Sequence, residues 1–200
     1  MERWRETADY AVVYKAPGED SERDMPEGLR CVHRLDKAAS GLLVYGKSRE
    51  AAAALSEQLR SRTLRKSYLI VVDGIPSERE GELTDFLYKD SAKQKMFPVR
   101  RKRAGVKEAR LCYRVLAVEE GRALIRVELE TGRFHQIRAQ FAARGLPLLG
   151  DMKYGSRVKT EMLALLCDRL RFLDPGSGEE ITAELPLPEA FPWKRREDVR

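Results

Sequence analysis

The sequence contains few of the residues that build disulfide frameworks or metal centres, with three cysteines and two histidines among 200 residues. Cys31, Cys112 and Cys167 are widely separated and form no CxxC pair. This spacing argues against a disulfide framework and against a zinc site. His33 and His135 share no ligand spacing with each other or with a cysteine. We therefore expect no metal centre, and a reducing, cytoplasmic environment.

Long apolar runs and phosphate-binding motifs are also missing. No apolar stretch approaches the roughly 18 residues that a membrane-spanning helix needs. The first ten residues contain no apolar signal-peptide core. The patterns GxxxxGK followed by Ser or Thr, GxGxxG and GxSxG do not occur. We expect neither a membrane association nor a small-molecule cofactor.

Charge is abundant and slightly biased towards the positive sign. Thirty-eight Lys and Arg residues face 32 Asp and Glu residues, which gives a net charge of +6. A basic surface favours polyanions such as RNA, DNA or acidic lipid. Residues 89–107 hold the densest basic run, centred on Arg100, Arg101, Lys102 and Arg103. We interpret this segment as an exposed loop that contacts phosphates; a merely solvated charge run explains it equally well.

Hydrophobic periodicity predicts several short strands and two helices. The expected strands cover residues 10–15, 41–45, 66–72, 111–118, 123–129, 163–172 and 181–185. A helix over 49–62, capped by Ser48, has Ala51, Leu55 and Leu59 on one face. A second helix over 132–144 would bury Phe134, Ile137 and Phe141. This order favours an α+β domain with a mixed, mainly antiparallel sheet and flanking helices.

The first block with chemical potential is 31–37, which ends a polar loop just before a buried strand. Asp36 lies beside Arg34 and Lys37, which could keep its carboxylate ionised as a nucleophile or base. An ordinary surface ion cluster would have the same composition. The block alone therefore leaves its role open.

Two further segments carry candidate side chains. In 130–138, a helix starting near Gly132 could aim Arg133 at a carboxylate or a phosphate, although a solvated basic face fits as well. Tyr68 stands at the head of an apolar strand, where a tyrosine is usually a core residue with a hydrogen-bonded hydroxyl. Neither segment decides the function by itself.

Taken in order, these segments resemble the RluA family of pseudouridine synthases from about residue 9 to residue 191. The matching pieces are Asp-Tyr-Ala-Val-Val-Tyr-Lys-Ala-Pro-Gly at 9–18, His-Arg-Leu-Asp-Lys-Ala-Ala-Ser-Gly-Leu at 33–42, Lys-Ser-Tyr at 66–68, Glu-Thr-Gly-Arg-Phe-His-Gln-Ile-Arg at 130–138 and Pro-Leu-Leu-Gly-Asp-Met-Lys-Tyr-Gly at 147–155. Five motifs in the family's order are far more specific than any one of them.

The resemblance implies a fold, a reaction and a set of roles. It implies the pseudouridine synthase fold with a central active-site cleft, and isomerisation of uridine to pseudouridine in rRNA or tRNA without a cofactor. Asp36 would be the essential aspartate, Tyr68 would pack on the uracil and help remove the C5 proton, and Arg133 would pair with Asp36. Arg34 would fill the gap left by the flipped nucleotide, since an arginine plane can replace a base in a stack. The expected RNA-binding set is Arg34, His33, Lys37, Arg100, Arg101, Lys102, Arg103, His135 and Arg138.

The departures from the family pattern are small. Ala39 replaces a frequent threonine and Leu166 a common histidine, and neither position has an assigned chemical role. Residues 1–200 are expected to form one catalytic domain, without an N-terminal S4 domain, and to act as a monomer. The alternative is a non-catalytic RNA-binding or RNA-folding protein on the same fold. A metal-dependent hydrolase is disfavoured by the missing ligand cluster.

Overall fold

The structure, a computed structural model, describes residues 1–194 and 196–199 and separates the chain into two compact units. The first unit comprises Met1–Tyr68 and Leu166–Leu187, and the second comprises Leu69–Leu165 with the described residues from Pro188 onward. The expectation of a single catalytic domain over 1–200 stays a prediction. In the described part of the chain, no helix has the length and apolarity that crossing a membrane requires.

Eleven strands and two α-helices are formed by the described residues. The strands are β1 (Glu2–Glu6), β2 (Tyr10–Lys15), β3 (Arg30–Cys31), β4 (Ser40–Gly46), β5 (Arg65–Asp73), β6 (Glu80–Asp90), β7 (Lys95–Val99), β8 (Val106–Glu119), β9 (Arg122–Leu129), β10 (Leu165–Leu173) and β11 (Glu180–Glu184). The helices are α1 (Arg49–Arg60) and α2 (Gln136–Ala142), and short 3₁₀ turns occur at Met152–Tyr154 and Arg196–Val199. The boundary between the units falls within β5, after Tyr68.

In the first unit the strand order is β1-β2-β4-β10, with β3 paired to β4 and β11 to β10. The strands β2 and β4 are almost entirely buried and pair antiparallel, whereas β4 and β10 pair in parallel. The helix α1 packs against β4. Its first turn is closed by Ser48, whose hydroxyl accepts a hydrogen bond from the Ala51 N–H at 3.0 Å, as the sequence predicted.

In the second unit β9, β8, β6 and β7 form an antiparallel series, and α2 packs against β6 and β7. Leu87, Met96, Ala109, Ala139 and Tyr154 form a buried cluster there. Together with the parallel pair in the first unit, this arrangement confirms the predicted α+β class and the mixed, mainly antiparallel strand pairing.

Two predicted elements were wrong in their extent. The second helix begins at Gln136 rather than near residue 132, because His135 takes a left-handed conformation (φ 48°) as its N-cap and breaks the helix before it. The basic segment 89–107 is a loop only in part, although the run 100–103 lies in a loop as predicted. The strand β6 continues to Asp90, and only 91–94 and 100–105 lie outside the strands.

Candidate active site

Asp36 lies in the irregular segment between β3 and β4, in the first unit. It is half-buried, and its carbonyl oxygen accepts the Ala39 N–H at 2.9 Å, which closes a tight turn. The next carbonyl, that of Lys37, accepts the Gly18 N–H at 2.7 Å. Among the described residues, no strand pairs with this segment, so its conformation depends on individual hydrogen bonds.

Lys15 supplies two of those hydrogen bonds from the end of β2, and a third goes to its neighbour Ala16. Its side chain is fully buried, and its ammonium donates to the carbonyl oxygens of Ala16, Lys37 and Ala39 at 3.0, 3.1 and 2.5 Å. Burial lowers the pKa of Lys15 to about 8, while nearby carboxylates, first Glu19 and then Asp36, act in the opposite direction. The sequence reasoning assigned no role to this residue. The available signal was a lysine at the end of an otherwise apolar buried strand.

Gly41 allows β10 to approach the start of β4. Its φ is 123°, and a Cβ at this position would collide with the Cys167 backbone. Cys167 is the parallel partner of Gly41 in the β4–β10 ladder. A glycine is therefore required at this position both for backbone conformation and for space.

Tyr68 lies in the same unit as Asp36 and is buried, with 4% of its surface exposed. Burial raises the pKa of Tyr68 well above 10, and the negative charges that Cys167 and Asp36 can carry act in the same direction. The phenol is therefore protonated at neutral pH and can serve as a packing surface and a hydrogen-bonding group.

Three residues that flank Asp36 were expected to contact RNA, and one of them is buried and two are exposed. His33 is buried, its Nε2 accepts the Val44 N–H at 3.2 Å, and burial holds its pKa well below 6.5. A neutral, buried imidazole provides no charge for a phosphate, which disfavours the predicted RNA contact. Arg34 and Lys37 are exposed, and Arg34 Nη1 lies 3.3 Å from a carboxylate oxygen of Glu22.

Arg133 lies in the second unit, ahead of α2. Its Nε donates to the Glu108 carbonyl oxygen at 2.9 Å, and its N–H donates to Gln136 Oε1 at 3.0 Å. The Gln136 amide also donates to the Arg110 carbonyl oxygen at 3.0 Å, which fixes the turn before the helix. Asp36 and Tyr68 lie in the first unit and Arg133 lies in the second. The expected pairing of Arg133 with Asp36 stays a prediction.

Two residues expected to bind RNA have internal roles. Arg138 is 5% exposed and forms a two-point ion pair with Asp151, from Nε at 2.7 Å and from Nη2 at 2.8 Å. His135 is 8% exposed, and its Nδ1 lies 3.1 Å from the Tyr154 hydroxyl, which also accepts the Met96 N–H at 2.8 Å. Burial lowers the pKa of His135 to about 3, with Arg138 adding to the effect. These contacts disfavour direct phosphate binding by either side chain.

The basic run between β7 and β8 is exposed at Arg100, Arg101, Lys102 and Arg103. Arg103 lies over the ring of Tyr88, 5.4 Å from its centroid. Elsewhere in this unit Lys89 and Lys95 lie over aromatic rings in the same way. Exposed cations beside aromatic rings are suited to single-stranded nucleic acid, and the predicted RNA contact of this run stays a prediction.

Within residues 1–194 and 196–199, one group of potential metal ligands comes together. It consists of Glu82, Cys112 and Glu130, whose ligand atoms lie within 4.8 Å of one another. The group contains neither histidine and is not part of the Asp36 segment. Exposed acidic side chains on neighbouring strands explain it without an ion.

Comparison with known proteins identifies the class. A family model described as RNA pseudouridylate synthase matches residues 10–143, and the chain belongs to this family. YhcT of Bacillus subtilis, named as an uncharacterized RNA pseudouridine synthase, is 36% identical over 164 residues, which cover 80% of this chain and 53% of that protein. The ribosomal large subunit pseudouridine synthase D of Nitrosomonas europaea is 37% identical over 172 residues, which cover 79% of this chain and 48% of that protein.

A solved structure supports the fold independently. Human RNA pseudouridylate synthase domain containing 4 superposes with a TM-score of 0.79 over 95% of this chain and 90% of that one, at 22% identity. This likeness confirms the predicted pseudouridine synthase fold. The chain spans about half the length of the curated relatives cited above.

Proposed function

We propose that this protein isomerises uridine to pseudouridine in structured RNA, either rRNA or tRNA. The observation that carries the proposal is the match of residues 10–143 to the pseudouridylate synthase family. The motif resemblance assigns the family's aspartate position to Asp36, and the charge of Asp36 is one of the causes that raise the pKa of the buried Tyr68 phenol in the same unit. A protein that only binds RNA has no need for that combination.

The reaction can be balanced without a cofactor. The N1–C1′ bond of uridine breaks, the uracil rotates, and a C5–C1′ bond forms; C5 loses a proton and N1 gains one. No electron is gained or lost overall, so no redox group is needed. Asp36 would attack or deprotonate the ribosyl unit, and Arg133 would keep the carboxylate ionised. Tyr68 would pack on the base and assist removal of the C5 proton.

RNA contacts would come from the exposed basic side chains. Arg34 stands two residues before Asp36 and its guanidinium is accessible, so it can fill the gap in the stack when the target uridine flips out. Lys37 and the run 100–103 would contact phosphates.

We further propose a monomer that acts in the cytoplasm. The oligomeric state is tested by the mass in solution, and the RNA target by pseudouridine mapping of cellular RNA with and without the protein.

The enzymatic proposal is tested with RNA carrying tritium at C5 of uridine, because isomerisation releases that label to water. The Asp36→Asn variant should release no tritium and should bind RNA within about tenfold of the wild type, since the amide keeps the shape of the carboxylate. Asp174→Asn is the matched control; its carboxylate caps the N–H groups of Gly176 and Ser177 in a turn of the same unit. Turnover by Asp36→Asn would exclude the mechanism. RNA binding without tritium release by the wild type on total cellular RNA would favour the non-catalytic alternative.

A further inference from the structure

Ser21 is a buried residue in a mostly polar segment. The proposed reaction assigns no role to it. It lies in the loop between β2 and β3, and only 3% of its surface is exposed. Its hydroxyl oxygen accepts the Leu35 N–H at 3.1 Å and donates to the Leu35 carbonyl oxygen at 3.4 Å. One side chain therefore satisfies both backbone groups of one residue.

The position of Leu35 gives these bonds their significance. Leu35 is buried and stands between Arg34 and Asp36, in a segment that no strand pairs with in the described part of the chain. A hydroxyl can donate one hydrogen bond and accept two, so Ser21 takes the place that a neighbouring strand would have. Because a buried N–H or carbonyl without a partner is costly, the hydroxyl fixes the backbone immediately before Asp36.

Ser21 is itself held from two directions. The Tyr45 hydroxyl, from the buried strand β4, donates to the Ser21 carbonyl oxygen at 2.8 Å. A carboxylate oxygen of Asp20 accepts the N–H groups of Glu22 and Arg23 at 2.9 and 3.1 Å, and the Asp20 carbonyl oxygen accepts the Asp24 N–H at 3.0 Å. The turn is therefore ordered by its own hydrogen bonds and anchored to the sheet.

The turn that contains Ser21 also contacts the side chain of Arg34, the residue before Leu35. Glu22, the residue after Ser21, lies 3.3 Å from Arg34 at an exposed position. An exposed ion pair contributes little to stability. The ion pair nevertheless joins the same two parts of the chain as the Ser21 hydrogen bonds, namely the turn that contains Ser21 and the segment that carries Asp36.

We infer that Ser21 is a positioning residue for Asp36, acting through both backbone groups of Leu35. The inference rests on the proposed function, because it supposes that Asp36 is the reacting group. The hydrogen bonds of the Ser21 hydroxyl go to the backbone of Leu35, so Ser21 acts on Asp36 through the chain. Its effect should therefore fall on the rate of the chemical step rather than on RNA affinity.

The test compares Ser21→Ala with a matched serine variant. Ser156 is also 3% exposed, and its hydroxyl bonds both backbone groups of Val158, each at 3.3 Å, in the second unit. The two alanine substitutions thus remove the same kind of hydroxyl from the same kind of loop. We expect Ser21→Ala to lower single-turnover tritium release about 10- to 100-fold with unchanged RNA affinity, and Ser156→Ala to stay within about twofold of the wild type. Ser21→Thr, which keeps the hydroxyl, should restore most of the rate.

Hydrogen exchange of the Leu35 amide is a second measurement that does not need turnover. Ser21→Ala should accelerate this exchange, whereas Ser156→Ala should not. Unchanged Leu35 exchange, or a Ser21→Ala rate within threefold of the wild type, would overturn the inference. An inactive wild type would overturn the proposed function instead, and the exchange measurement would still decide whether Ser21 holds this backbone.

Discussion

Replacing Lys15 with methionine tests whether a buried charge holds the segment that carries Asp36. Methionine fills a similar volume but has no ammonium, so the carbonyl oxygens of Ala16, Lys37 and Ala39 lose a donor. We expect the single-turnover rate of tritium release to fall about 100-fold, because a displacement of about 1 Å at a reacting group has an effect of that size. RNA affinity should be unchanged.

The change in stability should be small by comparison. The Lys37 carbonyl keeps the Gly18 N–H at 2.7 Å, and the Ala16 carbonyl keeps a longer bond from the Glu19 N–H at 3.4 Å. The buried bond to Ala39 is the main loss, about 3 kcal/mol for a hydrogen bond to a charged group. Removing the ammonium also removes its burial penalty as offset by the nearby carboxylates, about 3 kcal/mol for a pKa lowered from 10.5 to about 8. The two effects nearly cancel, so the free energy of unfolding should change by less than about 2 kcal/mol.

The pH dependence separates the effect of the Lys15 charge on activity from its effect on stability. In the folded protein Lys15 loses its proton as the pH rises through about 8, and the neutral amine has fewer donors for the three carbonyls. Between pH 8 and 10.5 the unfolded chain keeps the proton that the folded chain has lost, so this group makes stability rise with pH. Activity that depends on the Lys15 charge should fall in the same range. The loss of activity would therefore not be caused by unfolding.

The assay is single-turnover tritium release at saturating enzyme, paired with urea unfolding at each pH. Lys47→Met is the matched control, because the Lys47 ammonium also donates to a backbone carbonyl, that of Thr7 at 2.9 Å, but at the surface. It should be active and should keep the pH profile of the wild type. A Lys15→Met rate within threefold of the wild type would refute the reasoning, as would a wild-type profile that stays flat between pH 7 and 9.

Three further predictions concern stability, reactivity and RNA binding. Arg138→Met leaves the buried Asp151 carboxylate unpaired and should lower the free energy of unfolding by about 3–5 kcal/mol in urea titration; adding Asp151→Leu should recover part of it, and an unchanged midpoint would contradict the ion pair. Burial raises the pKa of Cys167 to about 12, so iodoacetamide at pH 8 should label the exposed Cys112 and leave Cys167 unlabelled in mass spectra of the native protein. Neutralising 100–103 should weaken RNA binding and flatten its salt dependence by about 0.7–0.9 for each phosphate that the run neutralises in the wild type; an unchanged slope would show that this run is merely solvated.

The sequence predicted those elements whose apolar pattern is strong. The strand β2 was predicted with its observed bounds, Tyr10–Lys15, and the hairpin of β8 and β9 was also confirmed. The strands β1 and β6 were missed because their patterns are weak. All five residues of β1 are exposed, and β6 buries only Leu83 and Leu87 among eleven residues. Such strands form because a neighbouring strand completes their hydrogen bonds, which no local pattern reveals.

In the candidate site, too, the sequence predicted some residues and missed others. The motif order predicted Asp36, Tyr68 and Arg133, and the structure puts Asp36 and Tyr68 in one unit. The supports of Asp36 were not predicted, because Lys15 and Ser21 act on backbone atoms that are remote in sequence. Lys15 reaches 24 residues along the chain to Ala39, and Ser21 reaches 14 residues to Leu35. A side chain that bonds a distant backbone leaves no periodic signal.

The net charge of +6 does not tell which cations are accessible to RNA. Lys15 and Arg138 carry charge but are buried, bonded to carbonyl oxygens and to Asp151. These cations stabilise the fold and cannot release counterions from RNA, which is the source of salt-dependent affinity. Under the proposed function, exposed cations such as Arg34 and the run 100–103 would supply that affinity. Substitutions of Lys15 or Arg138 should therefore change the rate or the stability but not the dependence of RNA affinity on salt concentration. A titration series over salt concentration thus distinguishes buried cations that stabilise the fold from exposed cations that contact RNA.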